Sequence, residues 1–157
     1  MSSLRIRAPV SSSLVVRRVM QANTGRETHP ERFVRRFLHR CGLRFRKDRR
    51  PVPALRCAAD LVFPGARLCI FVDGCFWHGC PKHFRVPASN SAWWAEKIEA
   101  NRARDHRNNA ILRRDGWCVI RIWEHQVNPR FLAELESRIL RRMRRTHGRQ
   151  RKVNVLS

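Results

Sequence analysis

The stretch Phe71–Phe84, FVDGCFWHGCPKHF, constrains this chain more than any other. An apolar strand runs into an acid and a glycine. Cysteines, histidines and large aromatics then crowd together. Cys75-x4-Cys80-x2-His83 places three soft or borderline ligands where they can wrap one tetrahedral ion, and zinc suits that set best. A fourth ligand must come from elsewhere, with His78, His125 and Cys118 as candidates. Cys118 lies in a strand-like run in which half the side chains face away. His125 follows that run, where a chain can turn back, and is favoured. A Cys2His2 set closed by protein is structural, with no open position for substrate. His78 is then held rigidly without being a ligand, which is how a general base is mounted.

Charge sets the partner. Of 157 residues, 34 are Lys or Arg against 12 Asp or Glu, a formal net charge of +22. Arg dominates, and its planar fork matches phosphate. A polyanion is implied, nucleic acid first. No apolar run reaches membrane-spanning length and no secretory signal opens the chain. The cysteines are therefore read as reduced and cytoplasmic, metal ligands before disulfides. Cys69 and Cys118, and less directly Cys41 and Cys57, read as small buried hydrophobes.

Residues 1–23 read as a flexible basic arm, 24–128 as the core, and 129–157 as a basic C-terminal helix and tail. Thr28 and Glu31 form a capping box, Phe33, Val34, Phe37 and Leu38 recur at helical spacing, and Gly42 stops the helix. Leu43–Arg46 reads as a strand. Asp60–Phe63 and Arg67–Asp73 form a hairpin across Pro64-Gly65, a type II turn signal. Asn90 or Ser91 caps a long helix with Trp94, Ile98, Asp105, Ile111 and Leu112 on one face. Trp117–Trp123 is a buried strand, and Pro129 starts the last helix. The crossover helix makes the strands before and after it parallel. The fold class is α/β: a small mixed sheet flanked by helices.

Two strand-borne carboxylates are available for chemistry. Asp60 opens one hairpin strand and Asp73 closes the other. The hairpin register puts Asp60 near residues 69–70, with strand ends free to bring residues 72–73 toward it. A carboxylate beside a second oxygen donor can hold Mg²⁺, and Mg²⁺ with a histidine base supports phosphodiester hydrolysis. Adjacent Phe76 and Trp77 cannot both point inward from one extended strand, so a wedge into a base step competes with core packing.

Six blocks in order carry a resemblance: THPE (28–31), ADLVFP (59–64), FVDGCFWHGC (71–80), VPASNSAWW (86–94), EKIEANRARDHRNN (96–109) and GWCVIRIWEH (116–125). The chain resembles the very short patch repair endonucleases, of the restriction-endonuclease-like superfamily, which nick DNA at T:G mismatches. The resemblance implies a restriction-endonuclease-like fold with a structural zinc. Asp60 would bind Mg²⁺ with the Val72 carbonyl, and His78 would be the catalytic histidine. Glu31 would be the acid on the first helix linked to the active site. Cys75, Cys80, His83 and His125 would hold zinc in a permuted ligand order. Phe76, Trp77 and Trp94 would insert beside the mismatch. Asp73 stands where the best-known members carry a second histidine and could add a metal ligand. Double-stranded DNA is the implied partner, with other mismatch-repair proteins beside it, and the endonuclease itself is expected to be a monomer. The competing readings are a zinc-stapled DNA-binding module without cleavage and a restriction-like nuclease of other specificity.

Overall fold

The computed structural model describes residues 27–155, with side chains to residue 148, so the basic arm expected over 1–23 lies outside the described residues. Helix α1 spans His29–Arg40, strand β1 Arg46–Arg49, β2 Ala59–Phe63, β3 Leu68–Asp73, helix α2 Ser91–Arg114, β4 Cys118–Trp123 and α3 Pro129–Val155. The strands form one sheet in the order β1-β2-β3-β4. β1, β2 and β3 run antiparallel in turn, whereas β3 and β4 are parallel, as the α2 crossover requires. Among the described residues no helix is long and apolar enough to cross a membrane.

Two helices end in the same way. At Gly42 (φ +79°) the Leu43 N–H bonds the Leu38 carbonyl at 3.1 Å and the Gly42 N–H bonds that of His39 at 3.0 Å. Gly116 (φ +81°) repeats this, with Trp117 N–H to Leu112 and Gly116 N–H to Arg113. Both are Schellman closures, which require the left-handed conformation that glycine adopts freely.

That closure explains a displaced strand. Leu43 is spent on ending α1, where it is buried with Leu38, and Phe45 packs on Phe63 at 5.7 Å. β1 therefore begins at Arg46, not at Leu43. It is an edge strand of charged residues, a composition that discourages pairing with other chains. The hairpin turn also differs from type II. Pro64–Ala66 form one 3₁₀ turn, and the left-handed residue is Arg67 (φ +44°), not Gly65.

The sheet carries a core on each face. Leu61, Phe63, Leu68, Ile70, Ile120 and Ile122 pack against Val34 and Leu38 of α1 and Leu132, Leu135 and Ile139 of α3. The first half of α3 thus belongs to the core, and residue 128 is not a boundary in the fold. Cys69 and Phe71 pack with Leu112 of α2 on the other face. Cys69 is buried and Cys118 and Cys57 partly so, but Cys41 is exposed, because it caps α1 at the surface.

The buried stripe of α2 is Trp94, Ile98, Asn101, Asn109 and Leu112, with Asp105 in line between the two asparagines. Ile111 lies off it and is half-buried. An otherwise buried stripe that turns polar at its centre directs polar groups inward. Ile122→Ala, at a fully buried position, should cost about 2–5 kcal/mol in urea unfolding. Phe33→Ala, at a position 39% exposed, should stay within about 0.5 kcal/mol.

Candidate active site and metal cluster

Parallel pairing brings Asp73 of β3 opposite Trp123 of β4. Two residues further along each chain stand Cys75 and His125, and Cys75 Sγ lies 3.1 Å from His125 Nδ1. The Cys75–Cys80 turn folds back, with the Cys80 N–H on the Cys75 carbonyl at 2.8 Å, and delivers Cys80 and His83. His83 Nδ1 is 3.7 Å from both sulfurs, and Cys80 Sγ is 3.7 Å from His125 Nδ1. A tetrahedral zinc with ordinary bond lengths has S···N edges of about 3.6 Å. The four donor atoms, all within 4.8 Å of one another, fit that geometry. Cys118 is excluded by register, since it pairs with Leu68 at the opposite end of the sheet. Glu124 ties the two arms together by accepting the Cys75 N–H at 2.7 Å.

Gly79 lets the loop lie down on α2. Its φ is +62°, and a Cβ there would stand 2.6 Å from Ile98 and 2.7 Å from Arg102. Arg102 donates to the Gly79 carbonyl and Asn101 to that of Trp77, the latter at 2.9 Å. His78 is fixed between these anchors. Its Nδ1 lies 2.6 Å from Asp105 Oδ2. Burial acts to raise the Asp105 pKa, but the His78 hydrogen bond and the Arg121, His78 and Arg104 charges outweigh it and hold the carboxyl below its ordinary value. An ionised carboxylate only accepts, so Nδ1 carries the proton and Nε2 is the free ring nitrogen.

Asp73 does not join Asp60. Both of its oxygens are bound by Arg121, Nε to Oδ2 and Nη2 to Oδ1, each at 2.6 Å. It is 5% exposed and 3.8 Å from His78 Nδ1, and Arg121 also reaches Asp105 at 3.2 Å and Asn109 at 3.3 Å. The expected extra metal ligand is instead the anchor of a network that ends at His78.

Asp60 lies one step further along the hairpin than expected, since Leu61 pairs with Ile70 and the Asp60 Oδ2 accepts the Val72 N–H at 2.7 Å. It gathers with Glu31 and Asp48, whose carboxylate oxygens fall within 4.8 Å of its own. Glu31 caps α1 and lines the site at once. It accepts from the Thr28 hydroxyl at 2.9 Å and the Glu27 N–H at 2.9 Å, and is 3% exposed. Asp48 was not anticipated, because one acid inside a run of arginines carries no periodic signal. Burial, with the Glu31 and Asp48 charges added and only partly offset by the Val72 N–H, pushes the Asp60 pKa up to about 6.

A cleft of about 220 Å³ runs between these groups, lined by Thr28, Glu31, Val72, Gly74, Phe76, Trp77, His78 and Glu124. Phe76 and Trp77 are partly exposed in it. Trp94 is 5% exposed and lies beneath them, 4.9 Å from Phe76 and 5.9 Å from Trp77. The expectation that Trp94 itself inserts into DNA is therefore corrected: the α2 stripe buries it as their support.

Carboxylates of α1, β1 and β2 and a histidine oriented by an acid, in a chain of net charge +22, are an arrangement compatible with hydrolysis of a phosphate polyanion. Comparison with known proteins gives the class directly. Residues 15–83 match the family model of the DNA mismatch endonuclease Vsr. The chain is 43% identical over 124 residues to the type II nicking enzyme V.XorIIP of Xanthomonas oryzae pv. oryzae, covering 78% of this chain and 88% of that protein. It is 37% identical over 130 residues to V.NmeAIP of Neisseria meningitidis, covering 80% and 89%. It is 37% identical over 106 residues to the DNA mismatch endonuclease Vsr of Escherichia coli K12, covering 67% and 66%. The chain belongs to the Vsr family and is a DNA endonuclease.

The raised Asp60 pKa has a measurable sign. Its protonated form favours folding, so this contribution is complete below the unfolded-state value near 4 and is lost as pH rises through about 6. Without added divalent cation, Asp60→Asn should be more stable than wild type. The advantage should grow between about pH 4 and 6 and level off above that at up to about 3 kcal/mol. A wild type that melts higher than Asp60→Asn at pH 8 would show that the carboxylate is not held against its preference.

Proposed function

We propose that this chain is a Mg²⁺-dependent endonuclease of the restriction-endonuclease-like superfamily that nicks duplex DNA at T:G mismatches in very short patch mismatch repair. The observation that carries this reading is one cleft, walled by two partly exposed aromatics, that is lined both by His78, held by Asp105, and by Glu31, which groups with Asp48 and Asp60. Cutting of one strand is the activity named for the type II nicking relatives. The E. coli relative is named for mismatches.

Asp60, with the Val72 carbonyl beside it, would hold Mg²⁺, and Glu31 and Asp48 would complete the negative wall. When bound there, the ion supplies charge stabilisation at the phosphoryl oxygens and a more acidic water. His78 takes a proton from the attacking water at Nε2. Asp105 keeps the ring in the accepting tautomer and stabilises the imidazolium that results. Arg121 and Asp73 position Asp105 rather than touching substrate. Phe76 and Trp77 enter the stack beside the mismatch, where unstacking costs least, and this is the physical basis for preferring T:G over a matched pair.

Cys75, Cys80, His83 and His125 would hold one structural zinc, closed to substrate. The supporting observation is that three of the four S···N separations, at 3.7 Å, match a tetrahedral edge, with the fourth shorter at 3.1 Å. His125→Ala should lose the metal and melt well below wild type, because structural zinc contributes folding free energy. Elemental analysis giving no zinc in the wild type would refute the site.

The function is tested by nicking rates on T:G and T:A duplexes that are otherwise identical. Wild type should nick only the T:G duplex and only with Mg²⁺. His78→Ala should lose about 10²–10⁴-fold at unchanged DNA affinity. Asp105→Asn should fall with it. Trp77→Ala should lose T:G nicking at little cost in melting temperature, whereas Trp94→Ala should melt lower. Equal cutting of both duplexes by wild type would leave a nuclease of other specificity.

A further inference from the structure

Glu31, Asp48 and Asp60 share their corner with one cation. Arg35 rises from α1 and is 9% exposed. Its Nη2 lies 2.8 Å from Asp48 Oδ1, 3.3 Å from the Asp60 carbonyl and 3.6 Å from Glu31 Oε2. Its Nε is buried without a partner. A guanidinium with five donors ordinarily forks onto one carboxylate. Here one nitrogen is shared among three acceptors and another nitrogen is left idle, so the cation is placed for its charge rather than for saturated hydrogen bonding. Asp48 is placed at a cost as well. Its φ of +49° interrupts β1, a conformation uncommon outside glycine that persists only where surroundings enforce it.

The charges around the corner sum simply. Three carboxylates and one guanidinium leave two negative charges. Glu27 stands 4.0 Å from Arg35 but is paired with Lys47 at 3.0 Å and adds no net charge. Asp73 is neutralised by Arg121, and Asp105, which accepts from His78, by Arg104 at 3.7 Å. Glu124, across the cleft, has one oxygen on the Cys75 N–H. One divalent cation balances the corner. A second would leave two uncompensated positive charges beside Arg35.

We propose that Arg35 is a built-in cation that fixes the capacity of the Glu31–Asp48–Asp60 group at one divalent ion, and that Asp48, held by Arg35, is a working member of that group. This rests on reading the group as the nuclease's metal site. Arg35 is thus a positioning residue that acts through the carboxylates.

The test is titration of the full, zinc-loaded chain with Mn²⁺ in the absence of DNA, counting free ion by its paramagnetic resonance signal. Wild type should bind one Mn²⁺ at this group. Arg35→Met, which keeps length and apolar bulk but removes the charge, should bind the first ion at least about tenfold more tightly and admit a second. Arg35→Met with Asp48→Asn restores two negative charges and should return to one ion, and Arg35→Lys should keep one ion throughout. Asp48→Asn alone should weaken binding by at least about tenfold, which keeps the test decisive if Arg35→Met fails to fold. Two ions in wild type, or unmoved capacity and affinity in the folded variants, would overturn the role of Arg35. No Mn²⁺ binding by wild type at any concentration would instead overturn the metal reading of the carboxylate group.

Discussion

The parallel register of β3 against β4 is the constraint on which the rest of the site depends. Asp73 opposite Trp123 sets Cys75 opposite His125, and Phe71 opposite Arg121 sets that guanidinium within bidentate reach of Asp73. A slip of one residue would turn every β4 side chain to the other face. It would separate the sulfur from its histidine, strip Asp73 of its counter-ion and bury Arg121 where Ile120 and Ile122 now pack. The metal cluster and the histidine network are therefore two consequences of one pairing. The register is itself pinned by a core on each face of the sheet and by the Schellman closure that feeds α2 into β4.

Buried charge in this chain is arranged in pairs of opposite sign with one exception. On the α2 side Asp73 is paired with Arg121 and Asp105 with Arg104, His78 donates to Asp105, and the Asp105 carboxyl is correspondingly held in its charged form. On the α1 side, three acids face a single arginine and the Asp60 pKa is pushed up to about 6. Uncompensated negative charge at a partly buried site disfavours the metal-free fold, and a fold that keeps it gains an affinity for cations. The two halves meet at the cleft, so that a fixed histidine and a site of excess negative charge border the same space.

The legible part of this architecture was the part with local signals. Capping at Thr28 and Glu31, the glycine stops, the α2 crossover and the parallel pair follow from short-range chemistry and connection rules. The choice of His125 over Cys118 could be made from where each stands in a strand. Asp105 was visible on the buried face of α2 but not as a functional group. The missing signal was the run Asn101, Asp105, Asn109, a polar interruption repeated every fourth residue on a stripe that is otherwise apolar. Asp48 had no comparable signal, since its place depends on a left-handed residue and on Arg35, thirteen positions away. Asp73 was misjudged because a strand-end acid looks the same whether its partner will be a metal or an arginine. That distinction lies in the register of β4.

The acids of this very basic chain are concentrated in one part of the fold. Of the 12 Asp and Glu residues, Glu31, Asp48, Asp60, Asp73, Asp105 and Glu124 stand at the cleft and the network behind it, although they span most of the sequence. The 34 Lys and Arg residues leave the chain as a whole strongly basic. DNA is drawn to such a surface by counterion release, with affinity that falls steeply with salt. On the reading proposed above, a phosphate that reaches the cleft meets the opposite field, and the carboxylate corner repels it until a divalent ion stands between them. Affinity and reaction are thereby assigned to different parts of the molecule. The arginine coat can hold duplex of any sequence without cutting it. In the proposed mechanism cleavage needs a phosphate pressed into an acidic pocket, and a backbone displaced by aromatics entering the stack brings it that far.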